Sequence, residues 1–253
     1  MNGLKVASVA ALAAIALTAQ SNRDLSPDEA INKSIAAYGG LEKLNAIKTI
    51  KCTGKVIFTG GHLEAPLVLR SKRPFRYRTE ITMQGQQMVE AFDGATKWIV
   101  SGGNPNPQKS PEDSAKSAAD NADIVESPLI HFKEKGHTLE QFGKEDVDGA
   151  PAYKFRLKLK SGNLLTVYLD MKSFLTVKTV TLVKQAGPEL EAESKPGNFK
   201  RVEGVMIAFS NAIRINQQPV MQMIYDKVEV NVPMDDSLFA FPQSGQGPTR
   251  PAK

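Results

Sequence analysis

The chain has 253 residues, of which 41% are apolar, 23% charged and 7% aromatic, and its formal net charge is +5. This composition excludes wholesale disorder, and the length suits one large β domain or two ordinary ones. Three of the positive charges, Lys5, Arg250 and Lys253, lie in the terminal segments and leave +2 on the body, which is not the charge signature of a nucleic-acid binder.

Residues 1–21, MNGLKVASVAALAAIALTAQS, combine one basic residue, an apolar run from Val6 to Ala19 and the small-x-small stretch Ala19-Gln20-Ser21. These are the features of a secretory signal peptide cleaved near Ser21, and the run is shorter than the roughly 20 residues of a spanning helix. A soluble, periplasmic mature chain is expected, with one domain over 22–242 and a Pro/Gly-rich tail over 243–253. The single cysteine, Cys52, excludes an internal disulfide and, alternating with Ile50 and Val56, reads as a small buried hydrophobe.

Ser26 as N-cap, Pro27 at the first helical position, apolar residues at Ala30, Ile31, Ile35 and Ala36, and Gly39-Gly40 as a stop predict one amphipathic helix. LEKLNAIK adds a further turn. From Ile50 the period changes to two: IKCTGKVIF, HLEAPLVLR, FRYRTEITM and the hairpin QMVEAFDGATKWIV, turning at Asp93-Gly94, read as successive strands. Pro66 marks the second of these as weak or at an edge. Such a run without intervening helix predicts an antiparallel meander.

Ser101–Asp123 is polar, rich in Pro, Gly, Ser and Asn, and then in Ala; it reads as a flexible insertion with helix between Pro111 and Ala122. In SPLIHFKEKG, Ser127 caps, Pro128 starts and Gly136 ends a two-turn helix carrying Leu129, Ile130 and Phe132. Strands then resume through AYKFRLKLKSG and NLLTVYLD, where Tyr153, Phe155, Leu157 and Leu159 share one face and Lys154, Arg156, Lys158 and Lys160 the other. In all, ten or eleven strands and three short helices are expected.

Catalytic signatures are missing. His62, His131 and His137 are scattered, no HExxH, GxSxG, Walker or GxGxxG pattern occurs, and Ser114-Ala115-Lys116 is one residue short of SxxK. The acidic pairs in EDVD and MDDS read as solvated turn caps. Neither enzyme activity nor a metal or cofactor is expected. The basic run Arg70, Lys72, Arg73, Arg76 and Arg78 reads as a solvated outer face balanced by Glu64, Glu80 and Glu90, with Phe75 and Tyr77 directed to the interior.

One whole face of the sheet is apolar and has to be covered, at about 1.5–3 kcal/mol for each buried Leu or Phe. Two aligned layers would cover it, and so would an incomplete barrel with helices over its concave side. The order of Lys72-Arg73-Pro74 entering a strand, Asp93-Gly94 with Trp98 at a hairpin, Ser127-Pro128 opening an apolar lid, and a terminal Phe239-x-Phe241 resembles the periplasmic lipoprotein carriers, the LolA/LolB-like superfamily. The resemblance spans most of Ile50 to Gly247 and implies a mainly β, α+β fold: a curled antiparallel sheet forming an unclosed half-barrel with short lid helices.

It also implies a non-catalytic carrier that holds lipid or lipoprotein acyl chains on the concave face, acts as a monomer and meets a membrane-anchored envelope partner. The residues expected to line that face are Val56, Phe58, Leu67, Leu69, Tyr77, Ile81, Met83 and Trp98 on the first strands. Leu129, Ile130 and Phe132 are expected on the lid, and Phe155, Leu157, Leu165 and Val167 on the later hairpin. Arg73 resembles the arginine that bonds the lid closed in the carriers. The alternative readings are an envelope sensor that binds protein, like the related RseB, and an uncharacterised envelope enzyme.

Overall fold

The computed structural model describes residues 24–60, 63–120, 127–183 and 189–242. The expected signal peptide, the tail beyond Pro242 and His62 lie outside the described residues. Ser26 caps α1 (Pro27–Tyr38) through a capping box: its hydroxyl accepts from the Glu29 amide at 3.3 Å, and the Glu29 carboxylate accepts from the Ser26 amide at 2.7 Å. Gly39, at φ 118°, stops the helix in the left-handed region open to glycine. The short α2 (Leu41–Ala46) follows.

Among the described residues the strands form one antiparallel sheet of thirteen. The first six are β1 (Thr49–Phe58), β2 (Leu63–Lys72), β3 (Arg76–Met83), β4 (Gln86–Phe92), β5 (Lys97–Ser101) and β6 (Asn104–Lys109). After α3 (Glu112–Asp120) come β7 (Thr138–Val147), β8 (Ala150–Lys158), β9 (Leu164–Asp170), β10 (Thr176–Val183), β11 (Leu190–Val202), β12 (Val205–Ile215) and β13 (Gln218–Val230). Their spatial order, β6-β5-β4-β3-β2-β1-β13-β12-β11-β10-β9-β8-β7, makes two meanders joined where β1 pairs with β13. Gly54 permits that junction. A Cβ there would lie 2.0 Å from the Ile224 carbonyl oxygen, so a side chain would push β13 away.

This order explains where the lid elements come from. The chain leaves the first meander at one edge, β6, and has to reach the opposite edge, β7, before it can run back toward β1. The crossing segment carries α3 and the turns of 127–137 across the concave side, while α1 and α2 are laid there from the N-terminal end. The two edge strands do not pair with each other, so the curled sheet stays open.

Several sequence expectations are corrected. The strand count rises because Asn104–Lys109, in the stretch read as an insertion, pairs with β5. Pro66 sits on an internal strand, but the register between β2 and β3 begins only at Leu67, so Pro66 blocks no β3 ladder bond. Residues 128–136 are consecutive turns and not a helix: His131 has φ 57°, and Leu129 and Ile130 enter two different core clusters. So short a helix has little hydrogen-bond energy of its own to oppose that divergence.

The basic run is not a solvated face. Cross-strand partners share a face, and the row Lys51, Arg70, Arg78, Ala91, Trp98 lies opposite the row containing Ile50 and Cys52. On that outer face Arg70, Arg78 and Glu80 are buried, with both guanidiniums on the one carboxylate. The C-terminal segment straps over them: Arg78 donates to the Leu238 carbonyl at 2.9 Å, Lys72 pairs with Asp236 at 2.6 Å, and Trp98 Nε1 donates to the Phe239 carbonyl at 2.8 Å. Phe239 is fully buried, and Phe241 meets the Trp98 ring edge-on at 6.3 Å. Phe75, expected inside, is 41% exposed just before β3.

Cys52 is buried on the concave side beside Ile50 and Leu69, and burial pushes its thiol up to about 12. Alkylation by iodoacetamide at pH 8 is therefore expected to proceed only as fast as the protein opens, and to become rapid in denaturant. Fast stoichiometric labelling of the native protein would place the thiol at the surface.

Candidate ligand-binding site

The helices and the crossing segment fill the concave side at its flanks. Ala30 and Ile31 of α1, with Leu129 and Phe132, close over Tyr153, Phe155, Leu157, Leu165, Val167 and Leu169 of β8 and β9. Tyr38, Leu44, Ile47 and Ile130 close over Ile50, Cys52 and Leu69 of the first meander and Ile207 and Phe209 of β12. α3 sets Ala118 on Phe92 and Tyr77.

Between these flanks the centre is left open. The registers place Val167, Thr179, Ser194, Ile213 and Met221 in one cross-strand row, and Pro196, Asn211, Met223 and Val56 in another. At each end of these rows the residues Val167 and Val56 are fully buried, but Thr179, Ser194, Ile213 and Met223 are only half-buried. They line a cavity of about 470 Å³, walled by Ile50, Cys52, Leu69 and Tyr225 and bordered by Ser127 and Pro128 of the crossing segment. That volume lies in the range of about 300–1,000 Å³ typical of small-molecule sites.

The polar groups around the cavity are mostly bonded among themselves. Ser194 Oγ donates to Asn211 Oδ1 at 2.7 Å, and Thr176 Oγ1 donates to Ser127 Oγ at 3.1 Å, tying β10 to the crossing segment. The Thr176 amide donates to the Tyr38 hydroxyl at 3.3 Å; burial pushes that phenol up, partly offset by the Thr176 bonds. Burial likewise raises the Tyr225 phenol, whose hydroxyl donates to the thioether of Met223 at 3.4 Å. Glu193 belongs to the lining but its carboxylate is held by Lys178 at 3.0 Å, and among the described residues no lysine, arginine or histidine lines the cavity. The site suits an apolar, uncharged guest segment.

The residues predicted from sequence fall into three groups. Leu69 lines the central cavity, and Val56, Leu67, Phe58 and Ile81 form the adjoining cluster on the same side. Phe155, Leu157, Val167, Leu129, Ile130 and Phe132 are consumed as core beneath or within the cover, and Leu165, in the same cluster, also borders a second recess. Tyr77 packs under α3 and donates to Glu90 at 2.7 Å, Met83 ends β3 half-buried beside Gln86, and Trp98 is on the outer face, away from where it was expected. Arg73 holds a cover element: its guanidinium donates to the Leu44 and Ile47 carbonyls at 2.6 and 3.2 Å, at the C-terminal end of α2.

Sequence reasoning missed the β10–β13 lining. Its signal was there in the alternation Thr179, Thr181 and Ala192, Ser194, Pro196, but small and hydroxylic residues do not stand out as an apolar face.

Among the described residues no helix is long and apolar enough to cross a membrane, and no three or more His, Cys, Asp or Glu side chains stand together as metal ligands. A single curled antiparallel sheet, open at both edges and partly covered on its concave side, is the half-barrel of the LolA-like fold. Three solved structures share it at low identity. A LolA superfamily protein from Nitrosomonas europaea is 13% identical over 86% of this chain and 98% of its own, with a TM-score of 0.54. A putative outer membrane lipoprotein-sorting protein domain from Vibrio parahaemolyticus is 13% identical over 83% and 94%, with a TM-score of 0.55. A DUF1329 family protein from Desulfovibrio piger is 12% identical over 84% and 96%, with a TM-score of 0.54. No family model and no curated protein matches the sequence. The likeness is one of fold.

Proposed function

We propose that this protein is an exported, non-catalytic carrier that holds an apolar chain of a lipid or lipoprotein in the concave cavity. One observation carries the reading: the cover fills both flanks of the concave face and leaves about 470 Å³ between them, lined by half-buried residues of β10–β13. An apolar chain entering this space leaves water at about 0.8 kcal/mol per buried CH₂, so affinity comes from sequestration and needs no bond chemistry. The bonds from Thr176 to Ser127 and from Arg73 to α2 are those that opening of the cover would break. The features of residues 1–21 support export, and the fold shared with the lipoprotein-sorting domain supports the cargo class.

The test is native mass spectrometry of the mature protein from its own host, followed by solvent extraction. The expected result is a bound species carrying at least one acyl chain, lost on extraction and regained on incubation with lipid. Protein that is ligand-free under mild conditions and takes up no acyl-chain probe would end the carrier reading.

A further inference from the structure

A second recess on the concave side, of about 570 Å³, lies between α3, the turns of 127–137 and the connection from β8 to β9. Its floor is apolar, built by Phe75, Ala119, Pro128, Leu159 and Leu165. Unlike the central cavity it is rimmed by cations: Lys116, Lys135 and Lys160 all border it. The two spaces share Asp120 and Pro128, so one edge of the cover borders both.

The rim also carries two acids, Asp120 and Glu134. Asp120 accepts from the Ser161 hydroxyl, which ties it to the connection from β8 to β9; burial raises its pKa, partly offset by the hydrogen bonds from Ser161 and Asn163. The Glu134 side chain is 72% exposed and stands 3.9 Å from His131. Lys116 pairs with Glu112 at 3.0 Å and Asp113 at 3.6 Å, but these three side chains are more than half exposed and such pairs are weak. His137 adds no charge: its Nδ1 accepts from the Lys160 amide at 3.1 Å, and desolvation lowers its pKa.

Lys160 has no acidic partner among the described residues, and its stem runs past Gly136, where a Cβ would lie 3.5 Å from Lys160 Cδ. Lys160 thus packs its aliphatic stem on Gly136 and borders the recess. Phe75, exposed beside this rim, supplies the apolar surface a chain would cover.

We propose that this recess binds a single-chain amphiphile with an anionic head, a long-chain carboxylate or phosphate monoester, its chain on Phe75, Leu159 and Leu165 and its anion at Lys160. The inference deepens the carrier reading and rests on it, because it names the head group that the covered sheet selects.

Isothermal titration of the delipidated mature protein with oleate, 1-oleoyl-lysophosphatidate and uncharged oleyl alcohol tests it. At least one anion is expected to bind roughly tenfold tighter than the alcohol, the size of one charge-assisted hydrogen bond at a partly exposed site. The tighter of the two identifies the head. Lys160→Glu is expected to abolish that advantage and leave the alcohol's affinity unchanged, whereas Lys172→Glu, in the exposed turn that follows β9, leaves all three unchanged. Unaltered alcohol binding also reports that the variant is folded, and Lys160→Gln repeats the test without charge reversal. Equal affinity for anions and alcohol, or anion binding indifferent to Lys160, overturns the head-group inference while the carrier reading stands. Failure of all three ligands overturns both.

Discussion

Glu80→Ala is expected to cost about 3–5 kcal/mol of stability, the loss typical of removing one partner from a buried ion pair. Glu80, Arg70 and Arg78 are each less than 10% exposed, and the one carboxylate serves both guanidiniums. Without it two positive charges remain under the C-terminal segment. They keep contacts such as the Leu238 carbonyl and the face of Trp98, whose ring centre lies 5.5 Å from the Arg78 guanidinium carbon, but no longer the carboxylate they share. Against a total stability of about 5–15 kcal/mol this is severe. Urea denaturation should show a lowered midpoint with little change in slope. Glu80→Gln, which keeps the shape but not the charge, should fall between wild type and alanine. A loss under about 1 kcal/mol would mean that water reaches the triad and that the strap does not seal it.

Ala192→Trp is expected to preserve the fold and remove cargo. Ala192 is half-buried, lines the central cavity and pairs with Thr181 and Ile215. An aromatic side chain suits a pleated strand, and here it enters open space rather than packed core. The indole occupies volume an acyl chain would use, so the acyl-bound species seen by native mass spectrometry should fall at least tenfold while the thermal midpoint moves little. Undiminished loading in a folded variant would place the cargo outside the β10–β13 cavity. Binding of anionic single-chain amphiphiles at the Lys160 rim should be affected less than binding in the central cavity, because Ala192 does not border that recess.

The two variants bear on opposite faces of the same sheet, and the sequence is unequal in what it tells about them. Ser26-Pro27 with Glu29 specifies the first helix, because capping depends on neighbours within one turn. The period-two alternation of Ile50–Phe58 or Tyr153–Leu157 specifies strands and, in succession without helices, a meander. The order of a Lys-Arg-Pro entry, an Asp-Gly hairpin, a Ser-Pro crossing segment and a terminal Phe-x-Phe was enough to place the fold among half-barrels.

Alternation, however, separates two faces without saying which one curls inward. On β4 and β5 both are apolar: Val89, Ala91, Trp98 and Val100 form the outer cluster under the strap, and Phe92 packs under α3 on the other side. Alternation therefore puts Trp98 on the wrong face and leaves the basic run solvated, although Arg78 is sealed by a residue 160 positions away and Arg70 is buried beside it. The same limit governs the candidate site. Phe155 and Val167 are as apolar as any ligand contact, but α1 occupies the space above them, while Thr179, Ser194 and Ile213 have no cover of their own.

The sequence by itself determined the local elements, their antiparallel succession and the surplus of apolar strand surface, because these follow from residue spacing within a few positions. Only the tertiary structure decided which face is concave, which part of it the cover fills and where a cavity is left. Those outcomes depend on the volumes of segments brought together from distant parts of the chain, and spacing along the chain carries no measure of volume.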